Sequence, residues 1–174
     1  YDWAKLGSYI TSVLNQKKIR EIKLISSFQY KKEFDEINIV YGMVLNTYRF
    51  NKYFTDTNKK RINYLSKLTF ITKDTKKIKS QWNRFNSLKE GVFLTRNLVS
   101  EPANNLTPSL LAKEAQKLKR YGLRVNVLDE KKLKSLKMGA LLGVAQGSAN
   151  KPFVVSLEWM LSLIHISEPT RRIL

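Results

Sequence analysis

The stretch Thr107-Pro-Ser-Leu-Leu-Ala-Lys-Glu-Ala-Gln-Lys-Leu-Lys-Arg-Tyr-Gly-Leu-Arg-Val-Asn-Val-Leu-Asp129 decides the class of fold. Thr107 can cap a helix, Pro108 suits its first turn, and Gly122 can end it. Leu111, Ala115 and Leu118 would form the core face. Beyond the glycine the hydrophobic period drops to two, and Leu123, Val125 and Val127 alternate as a strand. Asp129 can then cap a short helix carrying Leu133 and Leu136. The same alternation runs upstream. Residues 4–16 place Leu6, Ile10, Val13 and Leu14 on one helical face, and Ile22-Lys23-Leu24 reads as a short strand. Phe34, Ile37, Tyr41, Val44, Leu45 and Tyr48 have helical spacing. Residues 65–72 are rich in β-formers. Ile78, Trp82, Phe85, Val92, Leu94 and Leu98 predict a long helix over 76–99, and residues 153–157 read as a further strand. Helix alternating with strand predicts an α/β fold with a largely parallel sheet.

Composition narrows the function. The chain has 174 residues, 32 Lys+Arg, 14 Asp+Glu, one His and no Cys, for a net charge of +18. The length suffices for one domain with a core, or parts of two. A hydrophobic fraction of 43% excludes global disorder. Zero Cys excludes disulfides and thiolate zinc sites, and a single His argues against a Ser-His-Asp machine. No apolar run is long enough to span a membrane. The high charge raises nucleic-acid binding, but it is dispersed: +3 over residues 1–30, +8 over 31–90, +6 over 91–160 and +1 over the last fourteen. Lys outnumbers Arg, whereas base readout favours Arg, and no nucleic-acid-binding motif is visible. The pattern reads as a solvated surface.

Familiar catalytic motifs are missing. Gly143-Val-Ala-Gln-Gly147-Ser148 is not a phosphate loop, because no Lys-Ser or Lys-Thr follows in place. It is not a nucleophile elbow either, because Ser148 is not centred between two glycines. Close backbone packing is the expected role of Gly143 and Gly147. Asp35-Glu36 and Asp129-Glu130 are adjacent pairs whose side chains diverge, so neither is expected to share a metal. Glu101, between two apolar segments and before Pro102, could be a buried carboxylate, but such a residue is more often a capping or surface group. Tyr30, Tyr41, Tyr48 and Tyr53 fall on core-type positions.

Two long blocks carry a resemblance. The first is Gly91-Val-Phe-Leu-Thr-Arg96-Asn97-Leu-Val-Ser-Glu101-Pro-Ala-Asn104-Asn105-Leu-Thr107-Pro108, and the second is Met138-Gly-Ala-Leu-Leu-Gly143-Val-Ala-Gln146-Gly147-Ser148. In this order and spacing they resemble the leucyl (cytosol) aminopeptidases, the two-metal exopeptidases. Tyr48-Arg49-Phe50-Asn51-Lys52-Tyr53 is similar to a block of that family's N-terminal domain. Thr95 and Ser100 stand where the family usually has Ala and Asn. The resemblance implies that residues 1–75 are the C-terminal part of a macro-like α/β domain and 76–100 a connecting helix. Residues 101–160 would begin the α/β catalytic domain. It also implies a cytoplasmic, metal-dependent peptidase, homo-hexameric and without membrane anchorage, that removes N-terminal residues from peptides. Its two divalent ions, Mn or Zn, would bridge an attacking water. The family's metal ligands and catalytic residues come from a Lys-Gly-x-Thr-Phe-Asp block and an Asn-Thr-Asp-Ala-Glu-Gly-Arg block. Neither occurs here. No catalytic, cofactor-binding or metal-binding residue is therefore assigned, and the fragment is expected to bind no metal and to be inactive.

The first residue is not Met, so the chain is expected to begin within a longer protein. Residues 161–174 leave the family pattern, and Leu161 to Arg171 resembles the in-frame translation of a transposase sequencing adapter. His165, the only histidine, lies there. Two other functions stay open at this point. A small basic nucleic-acid-binding module would show a steep loss of affinity with salt, and a ligand-binding macro-like domain would need an intact pocket. Re-sequencing the locus is expected to show the natural frame departing near Met160. A gene continuing through His165 and Pro169 would overturn that expectation.

Overall fold

The computed structural model describes residues 2–25, 36–56 and 62–159. Its contacts divide the chain after Ser100 into two units.

In the first unit, the Asp2 carboxylate accepts the Lys5 N–H at 3.0 Å and starts α1, Trp3–Gln16. Strand β1, Glu21–Ile25, follows, then α2, Glu36–Asn46, β2, Lys67–Ile71, and α3, Thr75–Ser100. β1 and β2 are parallel, with Glu21 opposite Lys67 and Ile25 opposite Ile71. A parallel pair needs a crossover, and α2 lies within it. The core holds Ile39, Met43 and Leu65, with Trp3, Ile10, Leu14, Ile22, Leu24 and Leu68 packed against it.

α1 and α2 meet backbone to backbone. A Cβ on Gly7 would lie 1.9 Å from the Ile39 carbonyl oxygen, and one on Gly42 1.8 Å from that of Ala4. Thr11 is fully buried in this seam. Its hydroxyl, whose one proton can serve either, lies 3.2 Å from both the Gly7 and Met43 carbonyls. Asn46 Nδ2 closes one end, 2.6 Å from the Ser8 carbonyl and 2.9 Å from Ser12 Oγ. The small residues at the seam turn the helix away from the expected orientation. Leu6 is 40% exposed, and Gly7 and Thr11 are buried instead.

α3 rests on α2 along one edge. Phe85 packs on Tyr41 with ring centroids 4.9 Å apart, and Phe93 on Tyr48 at 5.2 Å. The Tyr48 hydroxyl donates to Asn97 Oδ1 at 2.9 Å. No α3 residue is fully buried, and Leu94, expected inside, is exposed. Tyr53 is also exposed, against its core-type position in the sequence. Tyr30 and Asp35 lie outside the described residues.

In the second unit, Thr107 Oγ1 accepts the Leu110 N–H and caps α4, Pro108–Lys117, as expected. A 3-10 turn over Leu118–Tyr121 follows, and Gly122 ends it at φ 86°. Then come β3, Arg124–Leu128, α5, Glu130–Ser135, α6, Gly139–Ala145, and β4, Val154–Glu158. Asp129 caps α5 through the Lys132 N–H at 2.9 Å. Ala112, Val125 and Leu133 are the buried apolar residues.

Three expectations fail here. β3 and β4 are antiparallel, Arg124 opposite Glu158 and Leu128 opposite Val154, so of the two described strand pairs only β1–β2 is parallel. One crossover helix returns the chain for a parallel strand. Two helices in series, α5 and α6, return it to the end where β3 finished. α4 is rotated so that Ala112 is buried and Leu111 exposed, and Leu136, beyond the end of α5, is half exposed. Gly143 and Gly147 are not packing glycines: a Cβ on Gly143 meets nothing within 4 Å, and one on Gly147 only the Val144 carbonyl at 3.8 Å.

Gly42→Ala should therefore cost about 3 kcal/mol or more, since backbone must move to admit the methyl. Gly143→Ala, in an open helical turn, should stabilise by about 0.5–1 kcal/mol. Denaturant unfolding of each variant checks both. A neutral Gly42→Ala would contradict the close helix crossing.

Candidate functional site

The sequence block 91–108 spans the end of α3 and the start of α4. Arg96 donates through Nη1 to the Leu45 carbonyl at 2.8 Å, and its guanidinium carbon lies 5.4 Å from the centre of the Tyr48 ring. Asn97 accepts from Tyr48. Glu101 is half-buried, and Asn104 and Asn105 are exposed. The Asn105 N–H donates to the Pro102 carbonyl at 2.9 Å, closing the turn before the Thr107 cap. These residues fasten helices and turns.

The second block, 138–148, forms α6 and the loop after it. Together with α5 that loop borders an open pocket of about 260 Å³, lined by Glu130, Lys134, Gln146, Ser148 and Lys151 among others. Glu130 is the one carboxylate there. Its Oε1 lies 2.6 Å from Lys134 Nζ and its Oε2 3.8 Å from Lys151 Nζ. The hydrogen bond and charge of Lys134 hold its carboxyl below the usual range, helped by Lys151. A carboxylate so paired is neither a general base near neutral pH nor a free metal ligand. Glu130 and Lys134 stand at the helical i, i+4 spacing, which is legible in the sequence. Lys151, twenty-one positions on, is not.

No group of three or more His, Cys, Asp or Glu side chains able to hold a metal occurs among the described residues. Asp129 is occupied as a helix cap and Glu130 by lysines, so the adjacent pair does not form a site.

The depressed Glu130 pKa has a definite sign. A carboxyl ionised more readily in the folded state adds stability above its unfolded pKa, and that stability is lost as pH falls through the folded value. Carboxyl NMR titration should find Glu130 below the ordinary value of 4.5, and Lys134→Met should raise it towards that value. An unmoved titration in Lys134→Met would remove Lys134 as the cause.

Comparison with known proteins agrees with the blocks. Residues 93–166 match the model of the cytosol aminopeptidase family, catalytic domain. That match runs into residues 161–166, within the segment expected to leave the family pattern. A probable cytosol aminopeptidase of Brucella ovis is 37% identical over 160 residues, covering 91% of this chain and 32% of the relative. One from Ehrlichia ruminantium is 36% identical over 157 residues, covering 89% and 31%. The chain thus spans about a third of the length of the curated relatives it matches. Among solved structures, a tomato leucine aminopeptidase mutant superposes with a TM-score of 0.74 at 30% identity, covering 89% of this chain and 32% of that one. The bottromycin maturation enzyme BotP in complex with Mn gives 0.67 at 22% identity, covering 89% and 33%, a likeness of fold alone. With the two sequence blocks in place and these relatives aligned along nine-tenths of its length, the chain is similar to the cytosol aminopeptidases, and its residues 93–166 match their catalytic domain.

Proposed function

We propose that this chain is part of a metal-dependent aminopeptidase that releases N-terminal residues from peptides. The observation that carries the reading is the continuous alignment to cytosol aminopeptidases over 91% of the chain, with the catalytic-domain match starting at residue 93. Residues 1–75 would be macro-like, 76–100 the connecting helix, and 101–160 the opening of the catalytic domain. In the whole protein, two divalent ions, Mn or Zn, would polarise the scissile carbonyl and acidify a water. The described residues do not fit those ions: their carboxylates form no cluster, and Glu130 is held by two lysines. This supports placing the ligands in the two family blocks absent from this sequence, with the chain supplying scaffold to the reaction.

Peptide substrates and a cytoplasmic setting belong to the same reading, supported by the names of the relatives, and a homo-hexamer is part of it through the family resemblance alone. Among the described residues no helix is long and apolar enough to cross a membrane. The nucleic-acid alternative gains nothing from the relatives.

The experiment compares two proteins with Leu-p-nitroanilide and added Mn or Zn. The chain alone should show no turnover. An extended reading frame containing both ligand blocks should show metal-stimulated release. Turnover by the chain alone would place catalytic residues within it. An extended, folded protein without aminopeptidase activity would sink the assignment.

A further inference from the structure

The C-terminal end of α2 opens into a groove of about 410 Å³ within the first unit. Its floor is made by the small residues Ala4, Ser8 and Gly42, where α1 and α2 cross most closely. Arg49 and Arg96 line it beside Tyr48. Arg49 Nη1 donates to the Asn46 carbonyl at 2.6 Å and the Tyr48 carbonyl at 2.7 Å, and Arg96 Nη1 donates to the Leu45 carbonyl at 2.8 Å. The arginines thus cap the last carbonyls of α2, and those bonds occupy only part of each five-donor fork. Neither guanidinium has a carboxylate partner among the described residues. No acidic side chain lines the groove.

The charges do not cancel. The end of a helix carries about half a negative charge, against two guanidiniums, so more than one positive charge is left over. Ser8 Oγ accepts from Asn46 Nδ2 at 2.8 Å, which leaves its own proton to donate. Two planar cationic forks and a hydroxyl, set over a floor of small side chains, are donors suited to an oxyanion. We propose that this groove binds a small dianionic oxyanion of the phosphate type between Arg49 and Arg96. The residual charge favours a dianion over a monocarboxylate. Success or failure of this binding leaves the aminopeptidase reading untouched.

The test is a titration of the full chain with inorganic phosphate at constant ionic strength, followed through the arginine Nε–H NMR signals. Acetate and chloride serve as comparison anions. Saturable shifts confined to Arg49 and Arg96 are expected with phosphate, and at least about fivefold weaker binding with acetate. Arg96→Gln should weaken phosphate about tenfold, the scale of one lost charge-assisted hydrogen bond. Ser8→Ala, which leaves both arginines in place, should weaken it severalfold. Lys113→Gln, in the other unit, should leave it unchanged. Shifts that never saturate, shifts spread over the surface lysines, acetate binding as tightly as phosphate, or full affinity in both Arg96→Gln and Ser8→Ala would each overturn the proposal.

Discussion

The first unit depends on one close approach, the crossing of α1 and α2 at Gly7 and Gly42. With backbone almost against backbone, either position excludes even a methyl group. The contact gains dispersion along its length but leaves no room for water, so a polar atom in the seam must find a partner inside it. Thr11 does so through the Gly7 and Met43 carbonyls, and Asn46 does so at the open end through Ser8 and Ser12. The crossing also fixes which faces remain for β1 and β2. Ile10 and Leu14 from one helix and Ile39 and Met43 from the other reach Ile22, Leu24 and Leu68 of the strands. α3 then takes the exposed flank of α2 by stacking Phe85 and Phe93 on Tyr41 and Tyr48.

Among its described residues the second unit has no comparable seam. It rests on a few aliphatic side chains, with Leu133 inaccessible to solvent and Ala112 and Val125 nearly so. Its other supports are local: Thr107 and Asp129 at helix starts, Gly122 at a turn, and ladder bonds between β3 and β4. Leu111, Leu136, Val144, Leu157 and Trp159 remain substantially exposed. Such a unit has little apolar burial to offset the entropy of ordering its chain.

What the sequence made legible follows from how local each cause is. Thr107, Pro108, Gly122 and Asp129 act on neighbours within four residues, and the structure uses each as expected. The periodicities of α1, β1, α3 and β3 are local too, and those elements form. Long-range causes were hidden. Nothing in the spacing of Leu6, Ile10, Val13 and Leu14 says that Gly7 and Thr11 will face the partner helix, because that orientation is chosen by Gly42, thirty-five positions away. The glycines singled out for packing, Gly143 and Gly147, sit in open surroundings, since a Gly-x-x-x-Gly pattern marks a contact only where a second helix meets it. Lys18 and Lys137 take the left-handed conformation at the ends of α1 and α5, where glycine would have announced the stop. The groove at Arg49 and Arg96 was equally invisible, its two arginines being forty-seven residues apart.

Most of the described carboxylates of this basic chain are committed to neighbouring groups. Asp2, Asp74 and Asp129 each accept a backbone N–H at a helix start. Glu21, Glu90, Glu114, Glu130 and Glu158 each face a Lys or Arg at 2.5–3.8 Å. A divalent ion would need several hard oxygen ligands converging on one point. To gain them here it would have to strip helix caps and displace lysines at sites far apart along the chain. With 14 acidic residues against 32 basic ones, these eight carboxylates are spent on holding helix ends and balancing neighbouring cations.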